Sequence, residues 1–116
     1  LDTIEGLDMS TGLRLALGQE PLYRRLLARF VESQAGFQEK LEQALDAGDA
    51  ERAERLAHTL KGAAAQIGAT RLSEDAAALQ MALRGGSPRE AVEPLTLAVA
   101  ARLGPLIAAL RAQTQP

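Results

Sequence analysis

The chain of 116 residues has no cysteine, one histidine and an aromatic content of 3%. The absence of cysteine excludes disulfide scaffolds, thiol catalysis and Cys-based zinc sites together. The shortage of aromatics leaves little material for a β-sheet, whereas the dominant Ala, Leu, Glu, Arg and Gln favour helix. Charge of one sign is lacking too. Thirteen Lys and Arg against fifteen Asp and Glu give a net charge of -2 with both signs interspersed. Neither a basic stripe nor an acidic tail stands out, so no nucleic-acid partner is expected. No uninterrupted apolar run approaches the roughly 18–20 residues of a membrane span, and no signal peptide opens the chain. No membrane contact by this segment is expected. The chain opens on Leu1 rather than Met, which suggests a piece of a longer cytoplasmic protein.

What is present is apolar bulk in helical spacing. With 47% apolar residues, a chain of this length can build a core, and one domain over 1–116 is expected. Ser10 or Thr11 can open a short helix, STGLRLAL, that Gly18 closes. From Pro21, apolar residues recur at Leu22, Leu26, Phe30, Phe37, Leu41 and Leu45, predicting one helix up to the turn at Gly48. The spacing of Tyr23, Phe30 and Phe37 reads as core packing. Asp49 caps a third helix carrying Ala53, Leu56, Ala57, Leu60, Ala64 and Ile67, which Gly68 ends. Thr70 is the expected cap of a fourth, running through Leu72, Ala76, Leu79 and Leu83 to Gly85-Gly86. Ser87-Pro88-Arg89-Glu90 has the form of a capping box with proline at the first helical position. In the last stretch, Pro94 and Gly104-Pro105 are expected to kink or break the helix, because an interior proline costs about 3 kcal/mol. Four long amphipathic segments joined by short turns predict an all-α fold: an antiparallel up-down four-helix bundle with a short additional N-terminal helix.

The third helix carries the sole histidine. At about 100° per residue its alanines and leucines fall in one sector, and His58 lies nearly opposite. A core histidine would require the helix to turn its leucines outward, so His58 is expected in solvent, either idle or functional. Its neighbours favour function. Lys61 and Gly62 follow three and four residues later on the same face, and Ala65 comes two turns on. A glycine inside a helix costs about 1 kcal/mol relative to alanine, a sacrifice useless to an idle surface but useful where another protein must come close. Lys61 supplies a point charge suited to a phosphoryl group on the imidazole. Glu51, Glu54, Arg55 and Gln66 form a polar rim able to orient a partner. Imidazole, with a reference pKa near 6.5, is largely neutral at cytoplasmic pH and offers a nucleophilic lone pair.

The segment Ala57-His58-Thr59-Leu60-Lys61-Gly62-Ala63-Ala64, followed by Ile67-Gly68-Ala69, resembles the AHxLKGxA…xG signature of histidine-containing phosphotransfer (HPt) domains of bacterial multistep phosphorelays. Tyr23 through Phe30 is similar to that family's Y-x-x-L-L-x-x-F helix. Leu41 through Asp49 is similar to its L-x-x-A-x-x-x-G-D turn. The C-terminal third is only weakly similar, and its two prolines depart from the smoother last helix of the family. The resemblance implies that His58 accepts a phosphoryl group from a receiver-domain aspartate and passes it to another, with Lys61 steadying the group and Gly62 giving the partner room. It also implies a Gln or Glu beside the ring, and Gln80 stands at the matching position. Its competing reading is an ordinary solvent-facing residue.

The expected partners are response-regulator receiver domains, engaged transiently through a shallow patch around Gly62 and Ala65, with Glu54, Arg55 and Gln66 at its rim. No cofactor is expected in this domain. Mg²⁺ belongs to the receiver's acidic pocket, because nothing here makes a hard-cation site. One histidine without a base or an oxyanion hole is poor equipment for autonomous catalysis, although the segment could sit within a sensor histidine kinase chain. A cytoplasmic monomer is expected. Rival readings are a non-catalytic helical adaptor, the phosphotransfer domain of a chemotaxis-type kinase, and the dimerising phosphoacceptor domain of a sensor kinase. The last calls for an acidic residue after the histidine, where this chain has Thr59.

Overall fold

The computed structural model describes residues 4–114; residues 1–3 and 115–116 of the expected domain lie outside the described residues. Six helical segments follow one another: α1 (Met9–Leu15), α2 (Glu20–Gln34), α3 (Phe37–Asp46), α4 (Ala50–Ile67), α5 (Thr70–Arg84) and α6 (Arg89–Thr114). There is no strand among the described residues. The arrangement is the expected helical bundle. α4 lies at its centre, packed on α1, α2, α3 and, most extensively, α5, while α6 packs on α5 and α2.

Local chemistry explains most boundaries and corrects several expectations. α1 is capped by Asp8, not by Ser10 or Thr11. Its carboxylate accepts from the Thr11 backbone N–H at 3.2 Å, and the two hydroxyls are themselves donors to it, at 2.9 Å from Ser10 and 2.7 Å from Thr11. These hydrogen bonds hold the Asp8 carboxyl below its ordinary pKa. α1 also ends at Leu15, ahead of Gly18, with the chain turning through left-handed Leu17 and Gly18. The helix expected over Pro21 to Asp46 is two helices. It breaks at Ala35-Gly36, where glycine's weak helical preference lets the chain re-aim so that Phe37 is buried.

At α4 the expectation holds. Asp49 accepts from the Arg52 N–H at 3.0 Å, and Gly68 closes the helix in the left-handed conformation at φ 88°. Thr70 is not the cap of α5. Ala69 occupies that place without a side-chain bond, its N–H tied to the Ala64 carbonyl by the turn, and Thr70 is the exposed first helical residue. Pro88 likewise precedes α6 and offers its carbonyl to the Ala91 and Val92 N–H groups. No Ser87–Glu90 side-chain exchange occurs among the described residues.

The largest departure is α6, an uninterrupted helix of 26 residues with both prolines inside. Pro94 and Pro105 are exposed, as are Glu90 and Ala101, whose carbonyls lose their helical donors; water can meet those oxygens. The opposite face buries Val92, Thr96, Val99, Leu103, Leu106 and Leu110. At about 1.5–3 kcal/mol for each fully buried aliphatic side chain, Val92, Val99, Leu103, Leu106 and Leu110 together outweigh two interior prolines at about 3 kcal/mol each. By length and composition α6 is also apolar enough to cross a bilayer, although Glu93 and Arg102 interrupt its apolar residues.

Tyr23, Phe30 and Phe37 are all buried, as their spacing predicts. Tyr23 does more than fill space. Its hydroxyl donates to the Ile67 carbonyl at 2.8 Å, at the C-terminal end of α4. Gly12 of α1 packs against both groups, and the Asp8 N–H donates to the Gly68 carbonyl at 2.8 Å. A Cβ on Gly12 would meet the Ile67 carbonyl oxygen and come within 2.5 Å of the Tyr23 ring. Gly12→Ala is therefore expected to lower stability by about 1–3 kcal/mol in chemical denaturation. A second expectation concerns the phenol, which burial pushes up to about 12. Because the folded value is raised, the native state loses stability as pH climbs from the unfolded value near 10 through 12. Tyr23 is the only tyrosine. Absorbance at 295 nm should therefore show one transition near pH 12 when folded and near 10 in urea.

Candidate functional site

α4 is two-faced. Ala53, Ala57, Leu60, Ala64 and Ile67 are at most 1% exposed, and His58 is on the solvent side, as the projection predicts. The short Gly68-Ala69 turn brings α5 back antiparallel along α4. Both helices bury small residues (Ala53, Ala57 and Ala64 on α4, Ala76 on α5), and their mutual contact is the most extensive in the bundle, as small contact residues permit. A side chain projecting from α5 can then reach over the edge of α4.

Gln80 does so. It is 6% exposed, and its Nε2 lies 3.1 Å from His58 Nδ1. The competing reading of Gln80 as an ordinary solvent-facing residue is overturned. The amide serves whichever tautomer the ring adopts: its N–H donates to a bare Nδ1, or, turned over, its oxygen accepts from Nδ1–H. In both cases one ring nitrogen, Nδ1, is occupied, and Nε2 makes no hydrogen bond among the described residues.

His58, Gln80, Glu54, Arg55, Thr59 and Arg84 line one small cleft. Arg84 is absent from the sequence-derived set. Its Nε pairs with Glu54 at 2.7 Å, so the rim carboxylate is held by α5 and not free to orient a partner alone. The signal was available: Arg84 is one turn beyond Gln80 and shares its face. Lys61 is half-buried, and its carbonyl accepts the Ser73 hydroxyl at 2.9 Å, a further tie between α4 and α5. Its ammonium forms no ion pair among the described residues. Ala65 and Gln66 are exposed on the same side. No group of three or more His, Asp or Glu side chains is placed to hold a metal ion among the described residues.

Gly62 is decisive for separating fold from function. A Cβ built there meets nothing within 4 Å. The bundle has room for a side chain and does not use it.

The family model of the Hpt domain matches residues 25–113. The chain belongs to the Hpt domain family. Membership places it among the histidine phosphotransfer modules of phosphorelays, which act on the receiver domains of response regulators and hybrid kinases. Among solved structures it is similar to the crystal structure of the HPT domain from an Hpt sensor hybrid histidine kinase of Shewanella. The TM-score is 0.83 at 23% identity, with 92% of each chain covered, a likeness of fold. No curated protein matches at a significant level. In this Hpt domain the last helix, with its two prolines, still runs alongside α5 as part of the bundle.

Because Gly62 is a helix-interior glycine in open space, Gly62→Ala is expected to raise stability by about 0.5–1 kcal/mol in urea unfolding. A loss of stability would mean that the glycine serves the fold.

Proposed function

We propose that His58 is the phosphoacceptor of this Hpt domain, reacting through Nε2. The observation that carries the reading is the Gln80 amide 3.1 Å from Nδ1 of an exposed histidine. With Gln80 accepting from Nδ1–H, the Nε2 lone pair is free to attack the phosphorus of a receiver's aspartyl phosphate in line. The N–P bond forms as the P–O bond to the aspartate breaks, and the aspartate leaves as a carboxylate. The amide can then turn and donate to Nδ1 once its proton has left, stabilising the phosphorylated ring. Transfer to a second receiver's aspartate runs the same exchange in reverse.

Lys61 is placed to offset the phosphoryl charge, one turn along the same face. Gly62 and Ala65 give the approaching domain a bare surface. Mg²⁺ and the remaining electrostatics come from the receiver, and this chain adds no cofactor of its own. The domain works as a cytoplasmic monomer between two receivers. A scaffolding module leaves both the Gln80 contact and the open Gly62 without purpose. A dimerising phosphoacceptor domain lacks its base at Thr59.

Incubation with a ³²P-labelled receiver should leave an acid-labile, base-stable label on the chain and none on His58→Gln. Gln80→Ala should keep the label but transfer it about tenfold more slowly, the equivalent of one lost hydrogen bond of about 1.4 kcal/mol. Full labelling of folded His58→Gln refutes the assignment.

A further inference from the structure

His58 lies between two unlike flanks. Toward α5 the rim is neutralised by the Glu54–Arg84 pair. Toward α2 and α3 it is not. One groove there carries Lys40, Arg52 and Arg55 on its walls, over an apolar floor of Phe37 and Leu56. A second groove shares Ser33 with the first and extends along α2 and α4, carrying Arg29 and Glu32. Four cations thus face a single lining carboxylate, in a chain whose net charge is -2.

None of the four makes a side-chain ion pair or hydrogen bond among the described residues. Nearby acids do not neutralise them. Glu51, one turn before Arg55, stays apart from it, and the Asp49 carboxylate accepts the Arg52 backbone N–H as the α4 cap. By contrast Arg24, Arg84, Arg89 and Arg102 are all paired. Like charges gathered without counter-charges do not help the isolated bundle. The groove also opens directly on the reacting face, because Arg55 and Thr59 line both it and the His58 cleft.

We propose that these two adjoining grooves, between α4 and the α2–α3 side, together receive an acidic surface of the receiver domain while His58 receives its phosphoryl group. Asp and Glu side chains beside the receiver's phosphoacceptor sit against Arg29, Lys40, Arg52 and Arg55, over the apolar floor. The α5 flank stays electrically quiet, so the charge pattern sets the direction of approach. It favours receivers with acidic rims over those with basic ones. The inference rests on the phosphotransfer reading for the identity of the partner, and on the groove for where that partner lies.

The test is an amide-shift titration of the labelled chain with purified, unphosphorylated, Mg²⁺-loaded receiver domains from the same genome, taken one by one. Binding receivers should perturb the groove residues along with His58. Raising NaCl from about 50 to 300 mM should weaken binding about tenfold. Arg29→Glu/Arg55→Glu should weaken it about tenfold or more at low salt and remove most of the salt dependence, with Arg29→Gln/Arg55→Gln intermediate. Both sites are exposed, and an unchanged melting temperature verifies the fold. His58→Gln should dock as the parent does. Perturbation confined to the α5 flank, salt-independent affinity, or binding by no receiver overturns the proposal. Label transfer to His58 with unchanged affinity in the charge-reversed variant overturns the groove alone. Groove docking with full labelling of His58→Gln overturns the phosphoacceptor alone.

Discussion

The close seam between α4 and α5 is the constraint on which the site depends. Alanines at Ala53, Ala57 and Ala64 of α4 and Ala76 of α5 bury completely, as do Leu60 and Leu79, and the contact between these two helices is the most extensive in the bundle. Larger residues in place of the alanines would push the axes apart, since interhelical distance follows the side chains at the contact. Gln80 would then fall short of Nδ1. A contact between an exposed histidine and a buried amide is therefore held by apolar packing and not by the polar groups themselves. The Ser73 bond to the Lys61 carbonyl adds a second fastening on the same seam.

A second device sits at the far end of α4. Tyr23, Gly12 and the Asp8 backbone converge on Ile67 and Gly68, tying α1 and α2 to the helix that carries His58. Two glycines make this possible for different reasons. Gly12 has no room for a Cβ, and Gly68 is left-handed as well as crowded by Asp8. Gly62 is the contrast: helical, unconfined and bare. Toward the same end of α4, Gly62 stands in open space and Gly68 serves the fold.

The polar surface divides in a similar way. Ion pairs from Arg84 to Glu54, Arg89 to Glu42 and Asp46, and Arg102 to Asp75 fasten helices across the bundle, each worth under about 1 kcal/mol at the surface. Arg29, Lys40, Arg52 and Arg55, which make no ion pair among the described residues, line the two grooves next to the His58 cleft.

How much could be read in advance depended on the range of the interaction involved. Helical periodicity acts over four residues, so the sequence by itself determined the all-helical bundle, the two-faced α4 and the outward position of His58. The Asp49 and Gly68 ends were legible for the same reason, being local backbone chemistry. The family motif around His58 was legible as a pattern, Gln80 included, yet its burial against the ring was not. Packing overrode local preference in α6, whose buried face carried two prolines. Local chemistry of its own divided the expected second helix at Gly36 and made Asp8 the cap in place of Ser10 and Thr11. Only the tertiary structure decided that Gln80 meets His58, that Arg84 restrains Glu54, and that four cations line two adjoining grooves. Each of these joins residues on different helices, and the spacing between helices is set by the volume of the packed core, which no local pattern in the chain expresses.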